Sequence, residues 1–419
     1  MNAVYASDFR FFGNTDSETI QNAVRYAKEH ELNRVVIPRH NPRTGLPIWT
    51  IDSAVLLPGH MTIVLEDAHL RLADGVYDNI FRSENWMTPE GKTLGGELSD
   101  IRILGSGDAL LDGGNHNGLV EQMHRDDPVK YPRLSVNLLI FLVNVRDFEV
   151  SGLKFIDSRW WSVCCIYCRF GKLSDLHFKL YGTCENQDGI DLRVGCEYIV
   201  IENITGITGD DTVALTALPN DDLVPETELK VEGKSPDIHD IQIRNVISSS
   251  HGCNVLRFLC EDGARIYNVL VDGLRDTGLS ISGAAILFGI SNTYFVKDRP
   301  RKMGDFRNIV IRNVSTNSQH GLKLCEPCQD LLIENYAVYG SANAAFRFYP
   351  NYVSDHVTIR NVSVRADRDS FRSVFVSDAP EESFSGTLIE DVQVEYTRNV
   401  FSGSHTVPVQ GLNVRSRSG

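Results

Sequence analysis

Three carboxylates introduce two neighbouring apolar segments. Asp188 lies in Asn186-Gln187-Asp188-Gly189, ahead of Ile190-Asp191-Leu192, and Asp210-Asp211 follow Gly209, ahead of Thr212-Val213-Ala214-Leu215. Acids held this close repel one another, and a fold keeps them where a shared proton, a cation or a reaction uses the repulsion. Turn chemistry explains Asp-Gly or Gly-Asp singly, and Asp191 reads as structural, but the set of three asks for a function. Paired carboxyls suit cleavage of a glycosidic bond: one gives a proton to the leaving oxygen while an ionised partner activates water. A separation of about 6.5 to 9.5 Å would admit that water and invert the anomeric centre. Mutual repulsion also raises one of the two pKa values, keeping one acid protonated near neutrality.

Such acids must be positioned by elements that repeat. Asp188 and Asp210 are 22 residues apart, and the surrounding chain carries a signature at similar spacing: apolar, polar, then Asn, Asp or Gly, then apolar. It reads Val150-Ser-Gly152-Leu153, Leu173-Ser-Asp175-Leu176, Ile201-Glu-Asn203-Ile204, Ile243-Arg-Asn245-Val246, Val271-Asp272, Ile311-Arg-Asn313-Val314, Ile333-Glu-Asn335-Tyr336, Ile359-Arg-Asn361-Val362 and Ile389-Glu-Asp391-Val392. Short strands at this period predict a β-solenoid, whose coils stack as parallel strands about 4.8 Å apart. Equivalent residues then align, so each Asn or Asp can bond along the stack. Intervals near 41 residues, as from Asp272 to Asn313, fit two coils or one coil with an insertion. Before the repeats, Ile20, Ala23, Val24 and Ala27 recur at helical spacing behind Thr15, Asp16 and Ser17, predicting an amphipathic helix over about 15–30 that covers the open end of the solenoid. The whole of 1–419 reads as one domain.

Composition excludes several classes. The formal net charge of −14 opposes nucleic acid or an anionic membrane as partner, since both need a basic face. The longest apolar runs, such as Leu138 to Val143, are far too short to span a bilayer. The opening MNAVYASDFRFF shows no basic segment followed by an apolar one, which predicts a cytoplasmic location. Nine cysteines, with Cys164, Cys165 and Cys168 in an apolar strand-like context, fit a reduced protein. Cys325-Glu-Pro-Cys328 has no second pair and reads as a tight turn between strands rather than a zinc or redox site. Trp160-Trp161 read as packing residues.

The acids carry a resemblance. The chain resembles the polygalacturonase-type glycoside hydrolases, family 28, whose pattern is Asn-Thr-Asp-Gly, then Gly-Asp-Asp or Gln-Asp-Asp, then Gly-His-Gly, then Arg-Ile-Lys. Residues 186–189 and 209–211 match the first two at the right interval, and Ser250-His251-Gly252 resembles the third. The resemblance implies a right-handed parallel β-helix and an inverting hydrolase of pectin-derived or related oligosaccharides that needs no metal or other cofactor. It implies that Asp210 is the general acid, that Asp188 and Asp211 hold and deprotonate the water, that Asn186 contacts substrate, and that His251 tunes the acid or holds substrate.

Two departures shape the expectation. Asp211 to His251 spans 40 residues, and the surplus is the proline-bearing stretch within about 219–238, expected as an insertion loop beside the cleft that favours exo action. One coil beyond His251, the place of Arg-Ile-Lys holds Gly283-Ala284-Ala285-Ile286-Leu287, so a uronate carboxylate lacks its expected partner. Arg193, Arg257 and Arg265 are the candidates to substitute, although Arg265 comes only 14 residues after His251. Two other readings stay open: a lyase on the same fold, with calcium on the acids and a basic residue abstracting a proton, and a glycan-binding solenoid without turnover. The expected partner is an oligosaccharide or polysaccharide substrate, and the oligomeric state is unknown.

Overall fold

The structure, a computed structural model, describes residues 3–115, 137–184, 186–219, 230–261, 263–278, 283–290, 301–340, 343–366, 373–395 and 399–415. Its chain divides into two units, Met1–Gly209 with Pro219–Ser235, and Asp210–Leu218 with Pro236–Gly419. Each is a right-handed parallel β-helix; the repeats predict its stacked parallel strands, and the resemblance implies its hand. In the first unit, short strands Val55–Leu57, Phe81–Ser83, Ile140–Val143, Val163–Ile166 and Ile190–Arg193 stack in parallel register. Longer strands, among them Leu98–Ser106, Val145–Ser151, Arg169–Lys179 and Glu197–Thr208, form its second sheet. The second unit repeats the plan. Its short strands are Val213–Ala217, Leu256–Cys260, Ala284–Phe288, His320–Leu324, Ala344–Phe348, Ser373–Ser377 and Phe401–Gly403, and its long ones run from Ile238–Ser250 to Gln410–Arg415.

The long strands show why the repeat signature exists. In Phe306–Thr316 the buried residues are Phe306, Ile309, Ile311, Val314 and Thr316, so steps of two alternate with steps of three. A strand has period two, and the extra residue in each long step is Asn308 (φ 50°) or Asn313 (φ 59°). One residue in the left-handed region bends the strand, is skipped by the core, and lets alternation resume. Asn and Asp tolerate that region best among residues with side chains. Their side chains then bond along the stack: Asn313 Nδ2 donates to Asp272 Oδ1 (2.7 Å), Asn335 to Asn313 (3.0 Å) and Asn361 to Asn335 (2.5 Å).

One assignment needs correction. Asn313 lies level with Gly273 rather than Asp272, because Asp272 pairs with Arg312 and Leu274 with Val314. Gly273 (φ 84°) makes the bend and Asp272 supplies the acceptor a glycine lacks. The same pairing shows that the long interval to Asn313 is a single coil with an insertion. In the first unit two bends are aromatic, Phe170 (φ 53°) and Tyr198 (φ 55°), and their rings stack 5.0 Å apart where an amide ladder would otherwise run.

The expected helix forms over Asp16–Glu29. Thr15 Oγ1 accepts the Glu18 N–H, Glu18 accepts the Asn14 N–H, and Ile20, Ala23, Val24 and Ala27 are buried. Its polar side chains close the first short strand: Gln21 Oε1 accepts the Leu56 N–H (2.7 Å) while its Nε2 donates to the Leu56 carbonyl (3.3 Å). Ser17 Oγ accepts the N–H groups of Asp52 and Ser53. An edge that would present bare peptide groups is thereby satisfied.

The ladder predicts a graded response. Asn335→Ala should cost roughly 2 kcal/mol in denaturant unfolding, from lost ladder bonds plus left-handed strain, and Asn335→Gly about 1 kcal/mol less because only the bonds are lost. Equal costs would contradict a conformational role.

Candidate active site

Asp210 and Asp211 stand at the entrance to Val213–Ala217, which lies in register with Leu256–Cys260 so that Ala214 pairs with Arg257. The turns before these two strands are bonded together: Thr212 N–H donates to the Asn254 carbonyl, and Ser250 Oγ donates to the Asp210 carbonyl (2.7 Å). Asp211 is buried. Its Oδ1 accepts from the backbone N–H (2.9 Å) and Nδ2 (2.8 Å) of Asn254, and its Oδ2 lies 3.5 Å from Arg257 Nη1. Asp210 is half-buried and its Oδ1 accepts the Asp211 N–H (2.9 Å).

Burial raises the Asp211 pKa to about 6. The charge of Asp210 pushes the same way, while Arg257 and the two bonds from Asn254 pull it back. Asp211 is therefore a carboxyl whose proton comes and goes near neutrality, held by two hydrogen bonds from Asn254 and an ion pair with Arg257. The Cys253 thiol completes the group, with ligand-capable atoms of Asp210, Asp211 and Cys253 all within 4.8 Å of one another, so oxygens of the two acids approach more closely than the separation of about 6.5 to 9.5 Å expected for a water held between them. It is the one such set among the described residues. Burial, then the two acids, drives the Cys253 pKa well above its ordinary value, so the thiol stays protonated. A cation would meet a protonated thiol and the Arg257 guanidinium, which makes this donor set a poor metal site.

Asp188 belongs to the first unit. Asn186, at a left-handed φ of 55°, turns the chain into Ile190–Arg193, and Gln187, where the family pattern has Thr, clamps that turn. Gln187 Nε2 donates to the Ser158 carbonyl (2.6 Å) and its Oε1 accepts the Thr183 N–H (3.0 Å). Asp188 is buried, its carbonyl accepting the N–H and Oγ of Ser162 (3.0 and 2.9 Å). Asp191 lies level with Cys164, and Arg193 sits over the Trp161 ring, 4.6 Å from its centroid. Trp160 and Trp161 are packing residues, buried with Leu138, Phe141 and Ile166.

The other site candidates divide. Arg257 joins the acids. Arg265 does not: its guanidinium and backbone N–H are both taken by Asp237 (2.7 to 3.1 Å), at the start of a long strand rather than among the short ones. An ion pair of its own thus holds it, and the structure does not bring it to the acids. His251 is exposed and makes no hydrogen bond or ion pair among the described residues. Cys325 and Cys328 flank a turn between strands, as expected, and both are buried free thiols.

Of the insertion, residues 220–229 lie outside the described residues. Its part up to Ser235 belongs to the first unit, where Val231 enters the Trp160 cluster and Lys234 Nζ donates to Glu97 (2.6 Å) and to the Tyr167 carbonyl (3.2 Å), whereas Pro236 onward belongs to the second. Burial would raise the Glu97 pKa, but hydrogen bonds from Arg169 and Lys234 outweigh it and hold it below its ordinary value.

The place of Arg-Ile-Lys is apolar, as read from the sequence. Ala285 and Leu287 are buried, and Leu287 lies level with Arg257. The column then continues to Lys323 and Arg347. Sequence reasoning missed these two, and also Cys253 and Asn254. The available signal was that His320-Gly-Leu-Lys323-Leu and Ala344-Ala-Phe-Arg347-Phe each place one base within an apolar strand, in step with Leu256-Arg257-Phe258.

No family model matches this chain, and no curated protein matches it. Solved structures do. The A-module of the mannuronan C-5 epimerase AlgE6 of Azotobacter vinelandii is similar with a TM-score of 0.67 at 13% identity, over 99% of this chain and 99% of that one. A hyperthermoactive exopolygalacturonase of Thermotoga maritima is similar at 0.54 and 14% identity, over 98% and 92%. Gene product 12 of bacteriophage phi29, in its pre-mature form, is similar at 0.67 and 14%, over 98% of this chain and 52% of that one. At these identities the likeness is one of fold.

Asp211 makes a prediction about stability. Its folded pKa of about 6 exceeds the ordinary 3.8, so the folded state binds the extra proton between those values and stability falls as pH rises through that window. About 2–3 kcal/mol should be lost between pH 4 and pH 7 from this group. Asp211→Asn, which keeps the oxygen Asn254 addresses, should lose that component. An unchanged difference between the two pH values in denaturant unfolding would show that Asp211 is not the group responsible.

Proposed function

We propose that the protein is an inverting glycoside hydrolase acting on pectin-derived or related oligosaccharides, in the manner of the polygalacturonase-type enzymes it resembles. The observation that carries this reading is the Asp210-Asp211 pair: two adjoining carboxyls, one half-buried, the other buried, twice hydrogen-bonded by Asn254, ion-paired with Arg257 and titrating near pH 6. In the proposed mechanism Asp210, the more accessible of the two, gives its proton to the leaving oxygen. Asp211 draws the proton from the attacking water, a task for a base whose pKa lies near the working pH. Asp188 joins them on the strength of its interval of one coil in sequence and its matching motif. Asn186, His251 and Arg257 contact the sugar. The fold likeness to an exopolygalacturonase is compatible with this assignment and the likeness to an epimerase is compatible with others, so the reading rests on the acids. Arg257 beside Asp211 also weighs against the calcium that a lyase reading would place on the acids. The insertion at about 219–238, by its place in the sequence after the acids, is the feature proposed to favour exo action.

Reducing-end release from pectic and neutral oligosaccharides tests the reading. Asp188→Asn, Asp210→Asn and Asp211→Asn should each lower turnover by on the order of 10²–10⁴-fold. Wild-type turnover should rise as pH climbs through about 6, where Asp211 becomes ionised; a fall there would transfer the acid's role to Asp211. Unsaturated product would make the protein a lyase. Polymers cut internally as fast as short oligomers would refute exo action.

A further inference from the structure

In the second unit, in-register residues of the short strands share a face, since successive side chains alternate and aligned ones point the same way. One outward column runs Ala214, Arg257, Leu287, Lys323, Arg347, Val376. It starts beside the acids, where Arg257 meets Asp211, and places a second cationic group two strands further on, about 10 Å along the axis. Lys323 is only 8% exposed and has no hydrogen bond or ion pair among the described residues. Its direct neighbour across the ladder is Arg347, and like charges directly opposite destabilise a sheet. Asp378 answers Arg347 (3.1 Å) and the Tyr349 ring lies under its guanidinium, 4.9 Å from the centroid, but nothing described answers Lys323. His320, at the head of the Lys323 strand, has a buried Nδ1 that is also without a partner among the described residues.

We propose that Lys323, with Arg347 and His320, is a binding subsite for an oxyanion carried by a sugar ring, a carboxylate or a sulfate ester, two strands beyond the acid pair. An ammonium kept from water with no counter-ion is costly, and an anionic ligand group would remove that cost on binding. Lys323 supplies the charge and Arg347 a planar fork that can share an oxyanion with Asp378 displaced or retained. Burial, then Arg347, lowers the Lys323 pKa. Burial, then Lys323 and Arg347, lowers that of His320 to about 3, so the ring is neutral and can donate to an oxyanion from one nitrogen. The ligand class rests on the glycoside-hydrolase reading; the anion site itself rests on the column.

Calorimetric binding separates the two. Digalacturonic acid, galactose 6-sulfate and galactose would be titrated into wild type and Lys323→Met, with folding checked by thermal unfolding. The expected result is that one acidic sugar binds wild type, outcompetes galactose, and binds Lys323→Met at least tenfold more weakly; which acidic sugar binds names the oxyanion. Equal binding of acidic and neutral sugars, or unchanged binding in Lys323→Met, overturns the proposal. Should Lys323→Met fail to fold, wild-type affinity decides: insensitivity to about 0.5 M NaCl excludes a subsite of this kind, and a marked loss supports it. Acidic-sugar binding that needs Lys323, found together with no hydrolysis of any substrate, would keep the subsite and reject the hydrolase.

Discussion

The structure depends on one residue per bend being held at positive φ. A strand that alternated strictly could not turn the corners of a coil and return to the same register above itself. The left-handed residue absorbs one position, leaves the core pattern intact on either side, and lets the next coil lie directly upon the last. Asn and Asp meet that demand and also hydrogen-bond to their equivalents, so the ladder Asp272–Asn313–Asn335–Asn361 enforces register from outside the core. Where a glycine makes the bend, as at Gly273, the preceding residue supplies the bond.

Strict register turns chain position into columns, and columns make the site. Asp211 reaches Asn254 and Arg257 because the turn before one short strand lies against the turn before the next. Its environment is then a contest: burial and Asp210 favour the neutral acid, Arg257 and Asn254 the carboxylate, and the balance falls near neutrality. The same register carries Arg257's column past an apolar Leu287 to Lys323 and Arg347.

Much of this was legible in the sequence. The amphipathic spacing of Ile20, Ala23, Val24 and Ala27, the Thr15 cap and the Asn-bearing signature have local physical causes, and the structure shows them as read. Assigning the bend to Asp272 instead of Gly273 confused the residue that bonds with the residue that turns, since the hydrogen-bonding side chain leaves the stronger mark. Arg265 was a tempting cation, but its partner Asp237 lies 28 residues earlier in sequence and only the stacking of coils reveals it. Lys323 and Arg347 escaped notice because a lone base in an apolar strand reads as a solvated edge charge; register alone places both in the column of Arg257. The alliance of Asp210 with Asp211 was visible, whereas the Asn254 clamp that holds Asp211 was not, being 43 residues away.

The central claim is that the paired carboxyls break a glycosidic bond by direct displacement with water. The measurement that tests it most directly is time-resolved proton NMR of the first product released from an oligosaccharide that the wild-type protein cleaves, read before mutarotation. The account predicts the anomer opposite to that of the cleaved linkage. The same anomer would require a covalent intermediate on a nucleophile that this arrangement does not assign, and would contradict it.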